Sequence, residues 1–219
     1  MFDMVSLELF PYVAVALAVG VGLFRYYSNR FSFSSLSSQF LENRSLFWGS
    51  VPWHYGIIII LTGHLIGFLF PKSVMAFNGV PMRLYILEVS AMALGILCLI
   101  GIVGLIYRRV SNTRIQAVTS KMDVVLLVLL LLQVISGLWV ALAYRWGSDW
   151  YVSVAVPWLW SLVKLNPDTA AMAQLPLMLK LHALNAFALV AVFPFTRLVH
   201  VTTVPFTYIW RPYQVVIWM

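Results

Sequence analysis

Five apolar runs divide this 219-residue chain, at about Val5 to Phe24, Val51 to Phe70, Leu84 to Tyr107, Val124 to Tyr144 and Leu177 to Val204. Each is close to the roughly 20 residues a helix needs to cross about 30 Å of hydrocarbon at 1.5 Å per residue. Hydrophobic residues make up 62% of the chain and charged ones 10%, against about half and about a quarter in an average soluble domain. That excess is too large to hide in one water-soluble globule. The expected fold is an all-α membrane protein: one domain over residues 1–219, built as a five-transmembrane-helix bundle.

The formal charge of +7 does not mark a nucleic-acid surface, because the basic residues sit at the ends of the apolar runs instead of forming a stripe on a polar domain. Basic loops stay in the cytoplasm. With the N-terminus outside, the cytoplasmic side holds nine of the 14 Lys and Arg, namely Arg25, Arg30, Arg44, Arg108, Arg109, Arg114, Lys121, Arg197 and Arg211. The other side holds Lys72, Arg83, Arg145, Lys164 and Lys180. An outside N-terminus and a cytoplasmic C-terminus are therefore expected. The N-terminal MFDMVSLELF carries acids and no basic residue ahead of its apolar stretch, so the first span is expected to remain in the membrane. The long aromatic connection between the fourth and fifth runs, broken by Pro157, Pro167 and Pro176, has room for a short amphipathic interfacial helix with tryptophans at headgroup depth. The single cysteine, Cys98, lies inside an apolar run and excludes a disulfide framework, a cysteine metal cluster and the C-x-x-C-H haem attachment motif.

All four histidines fall on only two spans: His54 and His64 on the second, His182 and His200 on the fifth. Ionisable side chains at membrane depth cost several kcal/mol on insertion scales and usually mark a function. Any one alone fits a neutral histidine bonded between helices equally well. In the predicted topology the two spans are antiparallel, and depth pairs His54 with His200 and His64 with His182. The 18 residues from His182 to His200 make five turns, which puts both rings on one face of an unbroken helix. Ten residues on the second span give about 15 Å of rise and 18 on the fifth about 27 Å, a mismatch to be absorbed by tilt and by a kink at Pro194.

Two facing imidazoles at each of two depths suit two low-spin b-type haems, whose irons take one neutral imidazole nitrogen on each axial side. Gly56, Gly63 and Gly67 would let a flat macrocycle lie close to the backbone; ordinary helix packing accounts for each equally well. Arg108, Arg109, Arg114 and Arg197 are candidates to hold the inner haem's propionates, while the positive-inside rule explains the first three as well. Glu88 and Asp123 read as solvated helix caps rather than proton relays.

The His-x9-His and His-x17-His pairs, with GHLIGFLFP around His64, YRRVSNTRIQAVTSKMDVVLL, and FPFTRLVHVTTVPFTYIWRPYQVV at the end, resemble the cytochrome b gamma subunit of respiratory nitrate reductases over nearly the whole chain. The resemblance implies a multi-pass protein of a prokaryotic cytoplasmic membrane that oxidises menaquinol or ubiquinol near the outer leaflet. It implies inner haem ligands at His54 and His200, outer ones at His64 and His182, and a quinol site beside the outer haem at Gly63 and His64. Electrons would pass to a cytoplasmic iron–sulfur beta subunit and a molybdenum-containing alpha subunit. The family's quinol-site lysine at the start of the third span is absent here, where VPMRLYILEV stands. Arg83 is the nearest cation and Lys72 is less well placed, but a guanidinium does not readily act as acid or base. Two other readings remain: the related membrane cytochrome of heterodisulfide or sulfite reductase complexes, and a membrane metal or proton transporter that uses histidines as ligands or relays. An anchor whose histidines are purely structural is a third.

Overall fold

A computed structural model describes residues 5–33, 38, 41, 42 and 44–203. The expected end of the fifth span at Val204 and the tail with Arg211 lie outside the described residues. Those described form helices and no strand, and five of the helices are long and apolar enough to cross a membrane. These are α1 (Val5–Ser28), α2 (Arg44–Leu69), α4 (Pro81–Ser111), α6 (Lys121–Ala143) and α9 (Leu177–Phe195). Between them lie short helices: α3 (Pro71–Asn78), α5 (Thr113–Ala117), the helical segment α7 at residues 147–163, and α8 (Ala170–Ala173).

Local chemistry sets the boundaries. The sequence places the start of the second span at Val51, just before Pro52; helix α2 instead begins at Arg44 and runs through Pro52. Glu42 accounts for the earlier start, since its carboxylate accepts the Ser45 backbone N–H at 2.7 Å and the Ser45 hydroxyl at 2.5 Å, closing a turn end whose amides have no partner within the helix. Pro71 and Pro81 stand at the starts of α3 and α4, where a missing N–H does no harm. A reciprocal capping box between Ser120 and Asp123 starts α6.

Helices α2 and α4 make the tightest seam. A side-chain carbon placed on Gly101 would stand 2.5 Å from the backbone N of Trp53; one on Gly56 would stand 2.6 Å from the Cys98 sulfur; one on Gly49 would stand 2.9 Å from the backbone N of Leu105. Rising numbers on one helix meet falling numbers on the other, so the pair is antiparallel. Small residues permit this approach, and in lipid, where apolar burial gives helices little drive to associate, close packing supplies the attraction. Trp53, Cys98, Ile102 and Val134 fill the centre where α2, α4 and α6 meet. Elsewhere along the spans large apolar side chains point outward, among them Ile58, Leu61 and Leu65 on α2.

The connection between α6 and α9 is helical, as expected, but it is docked on the bundle. Trp158 is only 3% exposed and packs with Leu7, Leu162 and Met172. Its indole N–H donates to the Leu7 carbonyl at 3.1 Å, Trp160 donates to the Phe68 carbonyl at 3.0 Å while stacking flat on the Phe68 ring, and Tyr12 donates to the Leu162 carbonyl at 2.9 Å. Both indole N–H groups thus find protein carbonyls. Glu88 fastens the start of α7 by accepting the Gly147 and Ser148 backbone N–H groups at 3.1 and 2.9 Å and the Ser148 hydroxyl at 2.9 Å. It caps a neighbouring element instead of its own helix, and it is not solvated as the sequence suggests.

Gly101→Ala should destabilise the fold by roughly 1–3 kcal/mol, read as a lower thermal unfolding midpoint in detergent, because the added carbon meets the backbone of α2, which cannot give way. Gly20→Ala, with nothing within 4 Å of the added carbon, should leave the midpoint unchanged or slightly raised. Ser45's hydroxyl and N–H, followed by the Arg108 guanidinium, hold the Glu42 carboxyl down from 4.5 to about 2. A carboxyl depressed in the folded state stabilises above its unfolded value and loses that contribution as pH falls through the folded one. The stability gap between wild type and Glu42→Gln should therefore be full above about pH 5 and close between about 4.5 and 2, read as thermal midpoints across that range.

Candidate functional site

The two histidine-bearing helices do not pack on each other. Helix α2 lies along α4, and α9 lies against α1 and α6, so the two histidine-bearing helices share no seam of that kind. His54 and His200 come together at one end, with ring centroids 6.3 Å apart and planes at 70°. A metal between two imidazoles needs two bonds of about 2 Å and two half-rings of roughly 1.2 Å, which add to about 6 Å. At the other depth, His64 packs edge-on to Tyr151 of α7 at 5.1 Å, and His64 and His182 are close enough for their imidazoles to interact electrostatically.

The hydrogen bonds at Nδ1 decide which nitrogen each ring offers. His54 donates to the Ser50 carbonyl at 2.7 Å, His64 to the Ile60 carbonyl at 2.9 Å and His200 to the Arg197 carbonyl at 2.6 Å. A carbonyl can only accept, so in a neutral ring Nδ1 carries the hydrogen and Nε2 keeps its lone pair. His182 reaches the same state through another helix. The Ser136 hydroxyl donates to the Gln133 carbonyl, which leaves its oxygen to accept from His182 Nδ1 at 2.9 Å. The Gln133 amide then stands 3.2 Å from His182 Nε2, with its own oxygen bonded by Asn185 at 2.7 Å. Gly137 makes room for this ring, since a carbon there would lie 3.0 Å from His182 Cε1. At His54, His64 and His200 a backbone carbonyl thus claims Nδ1, which makes Nε2 the nitrogen with the lone pair in a neutral ring, while at His182 the Gln133 amide lies 3.3 Å from Nδ1 and 3.2 Å from Nε2. Gln133, Ser136, Asn185 and Gly137 escape a reading of the sequence that looks for histidines; polar residues inside the apolar fourth and fifth runs were the available signal.

Helix α9 does not continue to His200. It tightens at Phe193–Phe195, breaks at Thr196 in extended conformation, and resumes as a 3-10 turn over Arg197–Thr203. The straight five-turn relation between His182 and His200 is thus replaced by a break, with Pro194 at its edge because a proline offers no N–H to continue the helix. A freed carbonyl at membrane depth needs a donor. Arg25 of α1 supplies it, donating to the Pro194 carbonyl at 2.6 Å while its other nitrogens hold Ser32.

Of the three α2 glycines that the sequence offers for a macrocycle, Gly56 packs on Cys98 and Gly67 on Tyr151, and only Gly63, beside His64, faces open space. Arg108, 4% exposed, turns away to Glu42 and Ser38, with its Nε 2.7 Å from the Glu42 carboxylate. Arg109 and Arg197 converge on Asp123 at 3.3 and 2.6 Å. Asp123 is only 3% exposed; it caps α6 as expected, but it is an ion-paired cap and not a solvated one, because α9's continuation covers it. Arg83 lies against the Phe77 ring at 5.7 Å, and Lys72 and Arg114 are exposed. Among the described residues no three of His, Cys, Asp and Glu converge as a metal cluster.

A profile of the nitrate reductase gamma subunit matches residues 3–219. The nitrate reductase gamma chain of Bacillus subtilis is 33% identical over 94% of this chain and 93% of that protein. The respiratory nitrate reductase 2 gamma chain of Escherichia coli is 32% identical over 95% of this chain and 94% of its own length. The nitrate reductase-like protein NarX of Mycobacterium tuberculosis is 34% identical over 93% of this chain, which spans 32% of that longer protein.

Arg25→Ala should cost roughly 1–3 kcal/mol by leaving the Pro194 carbonyl unpaired. The effect is measured as a lower thermal midpoint in detergent, with Arg25→Lys intermediate.

Proposed function

This chain belongs to the nitrate reductase gamma subunit family, and on that premise we propose that it is the dihaem cytochrome b of a quinol-oxidising respiratory nitrate reductase. In this reading menaquinol or ubiquinol is oxidised near the outer leaflet of a prokaryotic cytoplasmic membrane. Its electrons cross inward to an iron–sulfur beta subunit and on to a molybdenum-containing alpha subunit, where nitrate is reduced. The N-terminus lies outside and the C-terminus in the cytoplasm, as the distribution of Lys and Arg favours. The observation that carries the proposal is the approach of the two histidine-bearing helices at His54 and His200, whose ring centroids stand 6.3 Å apart.

Haem b, when bound, supplies a one-electron iron couple at each depth. His54 and His200 hold the inner iron through Nε2, and the separation of their rings suits that role. His64 and His182 hold the outer one. The Nδ1 hydrogen bonds fix tautomer and ring orientation and raise ligand basicity, the usual service of groups behind a metal-bound histidine. At His182 the Gln133 amide occupies the approach to Nε2 and is the group that gives way, as a long side chain with several rotatable bonds. Arg109 and Arg197 converge on one carboxylate, Asp123, at the inner end, and are the arginines placed to meet a propionate there. Arg108 is drawn off by Glu42. The quinol headgroup is placed beside Gly63, where the helix surface is open, with His64 next to it and Arg83 as the nearest cation. Paired rather than clustered histidines favour this reading over a transporter that gathers several ligands on one ion.

Purified protein reduced with dithionite should show the visible bands of two bis-histidine b haems per chain, and a colourless preparation made with adequate haem would defeat the proposal. Replacement of His64 or His182 by alanine should abolish the outer haem and quinol oxidation while the inner haem remains. Loss of the inner haem alone would refute the pairing.

A further inference from the structure

We propose that Asp123 is a positioning residue for the inner histidine pair, acting through Arg197 to set the orientation in which the His200 imidazole faces His54. The inference rests on the haem reading above.

The need for such a residue follows from the break in α9. His182 sits in a regular helix, but His200 lies beyond the interruption at Thr196, on a 3-10 turn over Arg197–Thr203. Turns of that kind have poorer hydrogen-bond geometry than an α-helix, and α9 cannot transmit its rigidity across an extended residue. Something else must hold the ligand's backbone. Arg197 is gripped at its side-chain end: its Nε donates to Asp123 Oδ1 at 2.6 Å and its Nη2 to Asp123 Oδ2 at 2.8 Å, a two-pronged pairing that fixes direction as well as distance. The same Nη2 reaches the Val118 carbonyl at 3.2 Å. The main-chain end of Arg197 presents the carbonyl that receives His200 Nδ1. The chain of contacts therefore runs from the start of α6, through one side chain, to the imidazole.

Capping alone does not explain this arrangement. A cap on α6 uses Ser120, whose N–H meets Asp123 Oδ2 at 2.9 Å, and leaves Oδ1 unspent; in the structure Oδ1 is committed to Arg197. Burial of the carboxylate adds to the stringency, since a buried ion is costly unless its partners stay in place.

The test uses the purified protein with both haems, reading the low-spin EPR signals and the midpoint potential of each haem. Asp123→Asn should shift the highest g value of the inner haem and raise its potential, because a weaker Nδ1 hydrogen bond lowers the basicity of the ligand. The outer haem should stay as in wild type. Arg197→Lys, which keeps the cation and the carbonyl but loses the fork, should move the same signals by less. The double variant Asp123→Asn with Arg197→Gln removes both charges together, so it leaves that pair without an unpaired ion, and it should again alter the inner signal; selective loss of the inner haem also supports the proposal. A potential that rises with unaltered g values would show only the loss of a nearby charge and would overturn the positioning role, as would unchanged inner signals. A wild-type protein without haem would instead remove the haem reading itself.

Discussion

A polar group at hydrocarbon depth has no water to fall back on, so each must find its partner within the protein. Several irregular features of this structure answer to that constraint. The break in α9 frees the Pro194 carbonyl, and Arg25 comes across from α1 to meet it. The first amides of α7 are met by Glu88, and the indole N–H groups of Trp158 and Trp160 by carbonyls of α1 and α2. The imidazoles of His54, His64 and His200 obey the same rule, each with Nδ1 on a backbone carbonyl.

Packing is shared unevenly among the long helices. Glycines bring α2 against α4 so closely that their backbones nearly touch at Gly101 and Trp53, while α9 is held by α1 and α6. The face of α2 that looks toward α9 is left free for something other than a helix. A continuous α9 packed on α2 would be an ordinary five-helix arrangement with no room between the histidines.

The four histidines and their confinement to two helices were readable in the chain, because a rare ionisable residue in an apolar run stands out without any knowledge of its neighbours. Glycines were not readable in this way. Gly56, Gly63 and Gly67 look alike in sequence, yet two of them serve helix contacts and only Gly63 lies open, since what a glycine is for depends on the atom opposite it. The arginines behave similarly: Arg108 and Arg109 are adjacent, but one turns to Glu42 and the other to Asp123. The extended conformation at Thr196 also lay beyond the sequence, where Pro194 announces a disturbance without saying whether the helix bends or stops.

By itself, the sequence determined that this chain has five helices long and apolar enough to cross a membrane and carries imidazoles on two of those runs, because run length and residue type are local properties. Tertiary structure alone decided which nitrogen each ring offers at His182, where α9 ends, and which carboxylate holds which cation. Those outcomes join residues far apart in the chain, such as Arg197 and Asp123, 74 positions apart, or Arg25 and Pro194, 169 apart. The energy of such a bond depends on a distance that folding creates, and no local pattern encodes it.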